Sequence, residues 1–156
     1  MLTKLAEHNE WANHKVFAGC AQIAPGKLAE RGDGYDSVLG ILNHLAQVEN
    51  AFFELAHGRA PRWDAIDDLA GLRAQCARID RAYIEYAGSI DPIDAEAKRF
   101  LVPWFGFEIT AVEGLIQPLT HSHKHRADVS MLLPRLGGEG IEMDFIQWLD
   151  DVRGGR

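Results

Sequence analysis

The sequence predicts an all-α protein in which four long helices form a bundle. Apolar residues recur every three or four positions along four long stretches, and Gly or Pro residues lie at most of the boundaries between them. The chain has 156 residues, 47% of them apolar and 25% charged, which is typical of one folded domain. We therefore expect a single helical-bundle domain over residues 1–156, with a long aromatic crossover before helix four and a short C-terminal helix.

The first two predicted helices lie before Pro61. The first covers residues 3–23, and Pro25-Gly26 ends it. Its apolar face consists of Leu5, Ala12, Val16, Cys20 and Ile23. A polar loop of residues 30–36 follows, and Asp36 or Ser37 is expected to cap the second helix. The apolar face of this second helix consists of Val38, Ile41, Leu45, Val48, Phe52 and Leu55.

The third helix and the crossover complete the middle of the chain. The third helix is predicted to begin near Asp67 and to end before Gly88 and Pro92. Residues 99–109 are rich in aromatic side chains and contain Pro103 and Gly106. Such a segment favours a packed loop or a short, twisted hairpin over a helix.

Helix four is predicted to begin with a capping box, because Thr110 and Glu113 are spaced to satisfy each other's free backbone N–H groups. Its periodic apolar residues continue to Gly137-Gly138, a length of about 40 Å at 1.5 Å per residue. Pro118 and Pro134 lie inside this stretch, so we expect a kink near one or both. A short amphipathic helix over residues 143–152 follows.

The charge and hydropathy of the chain exclude several classes of function. It has 16 basic and 23 acidic residues, a net charge of −7, which argues against a nucleic-acid-binding protein. No stretch approaches twenty apolar residues, so we expect no membrane span. The charged N-terminal segment lacks the apolar core of a signal peptide, which predicts a cytoplasmic protein.

Both cysteines occupy apolar positions of predicted helices. Neither Cys20 nor Cys76 has a CxxC or Cys-His neighbourhood, so catalysis by a thiol of this chain is not expected. A structural disulfide is one interpretation, but two buried, reduced thiols fit an ordinary cytoplasmic core better.

The histidines give the strongest indication of chemistry. His121 and His125 are four residues apart and therefore share the apolar face of helix four, whereas His123 points to the opposite side. On helix two, His44 lies at the edge of the apolar face. One histidine from a second helix and a pair from helix four would supply three nitrogen ligands and leave an open position, as in catalytic zinc sites.

Other interpretations of these residues stay open. About 0.3 such histidine pairs are expected by chance in this composition, so the pair alone is a weak motif, and hydrogen-bonded core histidines are the alternative. His8 is the next candidate ligand, although a core or rim histidine fits its position better. Trp104, in the aromatic crossover, is a candidate pocket wall.

Four segments resemble the DinB-like, or YfiT-like, family of metal-binding proteins. They are NEWANHKVF (residues 9–17), GILNHLAQVENAFF (40–53), THSHKHRADVSMLLPRLG (120–137) and DFIQWL (144–149). The resemblance implies a four-helix bundle, usually a homodimer, that holds a divalent ion such as nickel or zinc on His44, His121 and His125. Characterised members of the family include metal-dependent transferases and isomerases that use a low-molecular-weight thiol.

The sequence departs from the family pattern beside the ligands. Ala127-Asp128 replaces the Gly-Gln that follows His-Arg in the family, and Gln117 and Pro118 stand where many relatives have ordinary helix formers. These changes leave the three histidines intact, but they do not allow a relative's substrate to be assigned to this sequence. We therefore expect a metal-dependent enzyme acting with a thiol on a small molecule. The alternatives are a non-catalytic dimeric module that binds a metal or small ligand, and a plain helical dimerisation module.

Overall fold

The protein is described here from a computed structural model, over residues 2–32 and 36–154. Its elements in chain order are α1 (Leu2–Cys20), α2 (Pro25–Ala29), α3 (Val38–Ala56), α4 (Leu69–Ser89), α5 (Pro92–Ala97), β1 (Arg99–Val102), β2 (Phe107–Thr110), α6 (Ala111–Leu132), a 3-10 helix (Leu133–Leu136) and α7 (Phe145–Val152). The predicted four-helix bundle is confirmed by α1, α3, α4 and α6. Residues 33–35 of the predicted polar loop lie outside the described residues.

Side-chain caps begin three of the four long helices, close to the predicted positions. Ser37 Oγ accepts a hydrogen bond from Gly40 N (3.0 Å) at the start of α3. Asp68, one residue after the predicted start, accepts from Gly71 N (2.8 Å) at α4. At α6, Thr110 Oγ1 accepts from Glu113 N, and Glu113 Oε2 accepts from Thr110 N, so the predicted capping box is confirmed.

Proline residues account for the main differences from the predicted boundaries. Pro25 begins the short helix α2 instead of only ending α1, because its fixed φ suits the first turn of a helix. Pro118 lies inside α6 without ending it. Pro134 lies in the 3-10 helix that follows α6, so the predicted long helix changes its winding there. Gly137, with a φ of 95°, ends this segment.

The crossover is a short antiparallel hairpin preceded by helix α5. Arg99 pairs with Thr110 and Val102 pairs with Phe107, and Gly106 at the turn has a φ of 73°. The hairpin lies on α6 because Gly114 has no side chain and leaves room for the ring of Phe100. This confirms the hairpin as the better of the two predicted forms for the aromatic segment.

The four long helices enclose one main apolar core. α1 packs against α4 and α3 packs against α6, and contacts of α1 with α6 and of α3 with α4 close the bundle. Cys20 and Cys76 lie in this core as free thiols, as expected, and burial raises the pKa of Cys20 to about 12. No helix among the described residues is long and apolar enough to cross a membrane.

A buried polar cluster crosses the middle of the bundle, and the sequence did not lead us to expect it. All four long helices contribute to it: Asn9 and Asn13 from α1, Glu49 from α3, Asp80 from α4, and Ser122 and Arg126 from α6. All six side chains are buried, and Arg126 is only 1% exposed.

Two asparagines connect the guanidinium of Arg126 to the carboxyl groups. Arg126 Nη1 donates to Asn9 Oδ1 (2.7 Å) and to Asn13 Oδ1 (2.8 Å). Asn9 Nδ2 donates to Glu49 Oε1 and to Asp80 Oδ1, both at 2.8 Å, and Asn13 Nδ2 donates to both oxygens of Asp80. Because each amide accepts from the cation and donates to an acid, the two charges are joined without direct contact.

The charges of the cluster are balanced inside the protein. Burial raises the pKa of both the Glu49 and the Asp80 carboxyl groups, while Arg126 and the amide donors oppose that rise. The cluster has one guanidinium and two carboxyl groups, so its charges balance when one of the two carboxyl groups keeps its proton. Removing the cation would therefore leave buried acidic groups without a compensating charge.

We expect the substitution Arg126→Met to lower the free energy of unfolding by about 3–5 kcal/mol, because it breaks a buried charge cluster at one partner. Urea denaturation at pH 7 measures the change. Arg81→Met, at an exposed position of α4, is the matched control and should change stability by less than about 0.5 kcal/mol. A loss below about 1 kcal/mol for Arg126→Met would show that the cluster does not stabilise the bundle.

Candidate metal centre

The three predicted ligands come from two adjacent, packed helices. His44 lies on α3 and is exposed, whereas His121 and His125 lie one turn apart on α6 and are half-buried. One potential ligand nitrogen from each of the three rings lies within 4.8 Å of the others. The structure therefore brings together His44, His121 and His125, as the sequence predicted, and their binding of a metal stays a prediction.

The spacing of the rings fits a transition-metal ion. His121 Nε2 and His125 Nε2 are 3.2 Å apart, and the ring centroid of His44 lies 5.0 Å from each of the other two. Two nitrogens bound at 2.0–2.1 Å to one tetrahedral ion would be separated by about 3.3 Å. Two neutral imidazoles at this distance can also share one N–H, which is the alternative that the sequence left open.

Burial keeps the α6 pair neutral at physiological pH. It lowers the pKa of His121 to about 4, with smaller contributions from the neighbouring rings of His125 and His44. It also lowers the pKa of His125, although the nearby Asp128 carboxylate opposes this. Neutral imidazole is the form that binds metal ions, so these two side chains are ready to act as ligands without losing a proton.

Asp128, which the sequence offered only as a departure from the family pattern without contact to the ligands, lies against one of them. Its Oδ2 atom lies 3.2 Å from Nδ1 of His125, one turn further along α6, but without the alignment of a good hydrogen bond. A carboxylate on the far nitrogen of a ligand histidine commonly fixes its ring orientation and raises its basicity. The signal was present in the spacing, since a His and an Asp three residues apart share a helix face.

The other histidines lie away from this centre. His8 is buried, its Nε2 lies 2.9 Å from the carbonyl oxygen of Met143, and its ring contacts Trp11, Phe145 and Trp148. It is therefore a packed core histidine, which was the preferred interpretation. His123 is exposed and points away from the pair, as the helical projection predicted.

An apolar groove of about 400 Å³ is lined by the hairpin, by the first half of α6 and by Phe52 of α3. Gln117, one turn before His121, lies at its edge. Trp104 is not among the side chains that line this groove, and its role as a pocket wall stays a prediction. Its ring packs instead against Phe52, a lining residue, at 5.7 Å and against Trp63 at 5.3 Å.

A larger groove of about 750 Å³ lies between α1, α4 and α7, but none of the three histidines lines it.

Comparison with known proteins now identifies the family. The model of the DinB family matches residues 1–151, nearly the whole chain. The chain belongs to the DinB family. Among curated proteins, none matches it.

Two solved structures share the fold of this DinB-family protein. YfiT from Bacillus subtilis, described as a probable metal-dependent hydrolase with an unusual four-helix bundle topology, has a TM-score of 0.71 and 20% identity, with 87% of each chain covered. A DinB-like protein from Bacillus cereus has a TM-score of 0.66 and 10% identity, covering 85% of this chain and 91% of its own. These similarities confirm the predicted four-helix bundle.

The lowered pKa of His121 predicts a pH dependence of stability. Between about pH 6.5 and pH 4 the unfolded chain takes up a proton that the folded ring excludes, so the metal-free protein should lose stability as the pH falls through this range. In His121→Gln the part of the stability loss that comes from this ring should disappear. The two proteins should then differ in this loss of unfolding free energy by on the order of 1 kcal/mol, after allowance for the partial exposure of the ring.

Urea denaturation in the presence of a chelator, at pH 7.5 and at pH 4.5, measures this difference. The comparison with His121→Gln cancels the opposite contribution of Glu49 and Asp80, whose raised pKa values favour the folded state at low pH. His123→Gln is the exposed control and should follow the wild type. An identical pH dependence in all three proteins would contradict the lowered pKa of the half-buried His121 ring.

Proposed function

We propose that this DinB-family protein binds one divalent transition-metal ion on His44, His121 and His125 and acts as a metal-dependent enzyme on a small molecule. The convergence of three imidazole nitrogens within 4.8 Å is the observation that carries the proposal. The family supports it, and so does the description of YfiT as a probable metal-dependent hydrolase. Three nitrogen ligands suit zinc or nickel and disfavour calcium and magnesium, which prefer oxygen.

The residues of the chain have distinct roles in this proposal. The three histidines donate lone pairs, and the Asp128 carboxylate lies against the far nitrogen of His125. His44 is exposed, which leaves the site open to solvent on the α3 side. A divalent ion held there would lower the pKa of a water molecule or thiol sharing the site.

The nucleophile in this proposal comes from outside the chain. Cys20 and Cys76 are buried, and burial raises the pKa of both thiols, so neither forms a thiolate at neutral pH. A low-molecular-weight thiol would make the protein a transferase or isomerase, and water would make it a hydrolase. The family resemblance supports the thiol, and the description of YfiT supports water.

Elemental analysis by mass spectrometry tests the metal site. We expect about one zinc or nickel ion per chain in protein purified without a His tag, and its loss in the double variant His44→Ala, His121→Ala, which removes two of three ligands. His123→Ala is the matched control, since it removes an exposed imidazole from the same helix, and it should keep the ion. A wild type that stays metal-free after incubation with zinc and nickel would overturn the proposal and favour packed core histidines.

A thiol titration distinguishes the thiol-dependent reaction from hydrolysis. If a thiol binds at the centre, its pKa should fall by at least about one unit in the presence of metal-loaded protein and return to normal with the double variant. Ultraviolet absorbance of the thiolate measures the shift for cysteine and glutathione. A metal-loaded protein that shifts neither pKa but hydrolyses ester or amide substrates would favour the hydrolase.

We also propose that the functional unit is a homodimer, which the family resemblance supports. Light scattering on the metal-loaded protein should give a mass of about twice 17.4 kDa. A monomer over the working concentration range would overturn this part of the proposal and leave the metal site unaffected.

A further inference from the structure

The apolar groove beside the candidate metal centre has a composition suited to a hydrophobic ligand. Six apolar side chains line it, drawn from α3, the hairpin and α6: Phe52, Val102, Phe105, Phe107, Ile109 and Ile116. Three of them are well exposed, with Phe105 at 65%, Phe107 at 55% and Ile116 at 39%. Its volume of about 400 Å³ lies within the range of small-molecule sites.

The groove and the histidine cluster lie within about one to two helical turns of each other along α6 and α3. On α6, Gln117 lines the groove and precedes His121 by four residues, a rise of about 6 Å. On α3, Phe52 follows His44 by eight residues, a rise of about 12 Å. A molecule with one end at the histidines would therefore reach the groove with a tail about 6 to 12 Å long.

The polar groups of the groove select an uncharged tail. No cationic side chain lines it among the described residues, so an anionic tail has no partner there. Glu113 Oε2 accepts the hydrogen bond of Thr110 N, which directs this carboxylate to the start of α6. The side-chain amide of Gln117 makes no hydrogen bond among the described residues and is free to contact a polar group between the tail and the head.

We propose that this groove binds the uncharged hydrophobic part, such as an aromatic ring, of a small molecule whose polar head binds at the histidine centre. This inference rests on the metal site of the proposed function and adds the substrate class. A small molecule fits better than a second copy of the chain, because the hollow has the volume of one ligand and Gln117 at its edge is one helical turn from His121. Stable protein interfaces need at least about 1,000 Å² of buried surface.

Two hydroxamic acids with the same metal-binding head test the proposal on zinc-loaded or nickel-loaded protein. Acetohydroxamic acid supplies the head alone, and 3-phenylpropionohydroxamic acid adds a ring on a short arm. We expect the phenyl compound to bind at least about tenfold more tightly, because burial of a ring in an apolar groove contributes more than 1.4 kcal/mol. Titration calorimetry measures both affinities without any assay of activity.

Variants at the groove separate its contribution from that of the metal. Phe107→Ser and Ile116→Ala change exposed side chains of the groove wall. They should remove most of the preference for the phenyl compound while metal content and acetohydroxamic acid affinity stay unchanged. Ile93→Ala is the matched control, since Ile93 is 80% exposed on α5 and does not line the groove.

Each failure has a separate meaning. A wild type that binds metal, and binds both compounds with equal affinity, would contradict the groove as a ligand site and leave the proposed function intact. A wild type that binds no metal would overturn both. A Phe107→Ser protein that changes from dimer to monomer in light scattering, with the phenyl preference absent from the wild type, would assign the groove to a contact between two copies.

Discussion

The buried guanidinium of Arg126 is the constraint on which the arrangement of the bundle depends. A charged side chain that is 1% exposed must be compensated within the protein, and here two asparagines and two carboxyl groups provide the compensation. These partners come from α1, α3 and α4, so the requirement to satisfy one cation fixes all four long helices relative to one another. Apolar packing alone would allow neighbouring rotations of each helix at little cost.

The same constraint sets the position of the candidate metal centre. Ser122 and Arg126 each follow one of the paired histidines on α6, about 100° further around the helix. When Ser122 donates to Glu49 and Arg126 reaches the asparagines of α1, His121 and His125 must face α3. One orientation of α6 therefore places both the buried cluster and the half-buried histidine pair. A change in the first would move the ligands of the second.

The hairpin packs on the two helices that carry the candidate ligands. It packs on the C-terminal half of α3 through Val102 and on α6 through Phe100, above Gly114. Several aromatic side chains of this segment are exposed, and exposed hydrophobic patches commonly mark binding surfaces. The two helices on which this hydrophobic surface lies, α3 and α6, also carry the three histidines.

The sequence by itself determined the four long helices, most of their caps and the three histidines, and it limited the aromatic segment to a packed loop or a hairpin. These features depend on local periodicity and spacing. Helical periodicity also placed His123 opposite the pair. Only the tertiary structure decided the buried cluster, the ring contact of Asp128 and the groove. Arg126, Glu49 and Asp80 are residue types normally found at the surface, and nothing local shows that their partners lie across the core. Asn9 and Asn13, four residues apart beside Ala12 and Val16, were a signal on the apolar face, but their partners become neighbours only when the helices pack.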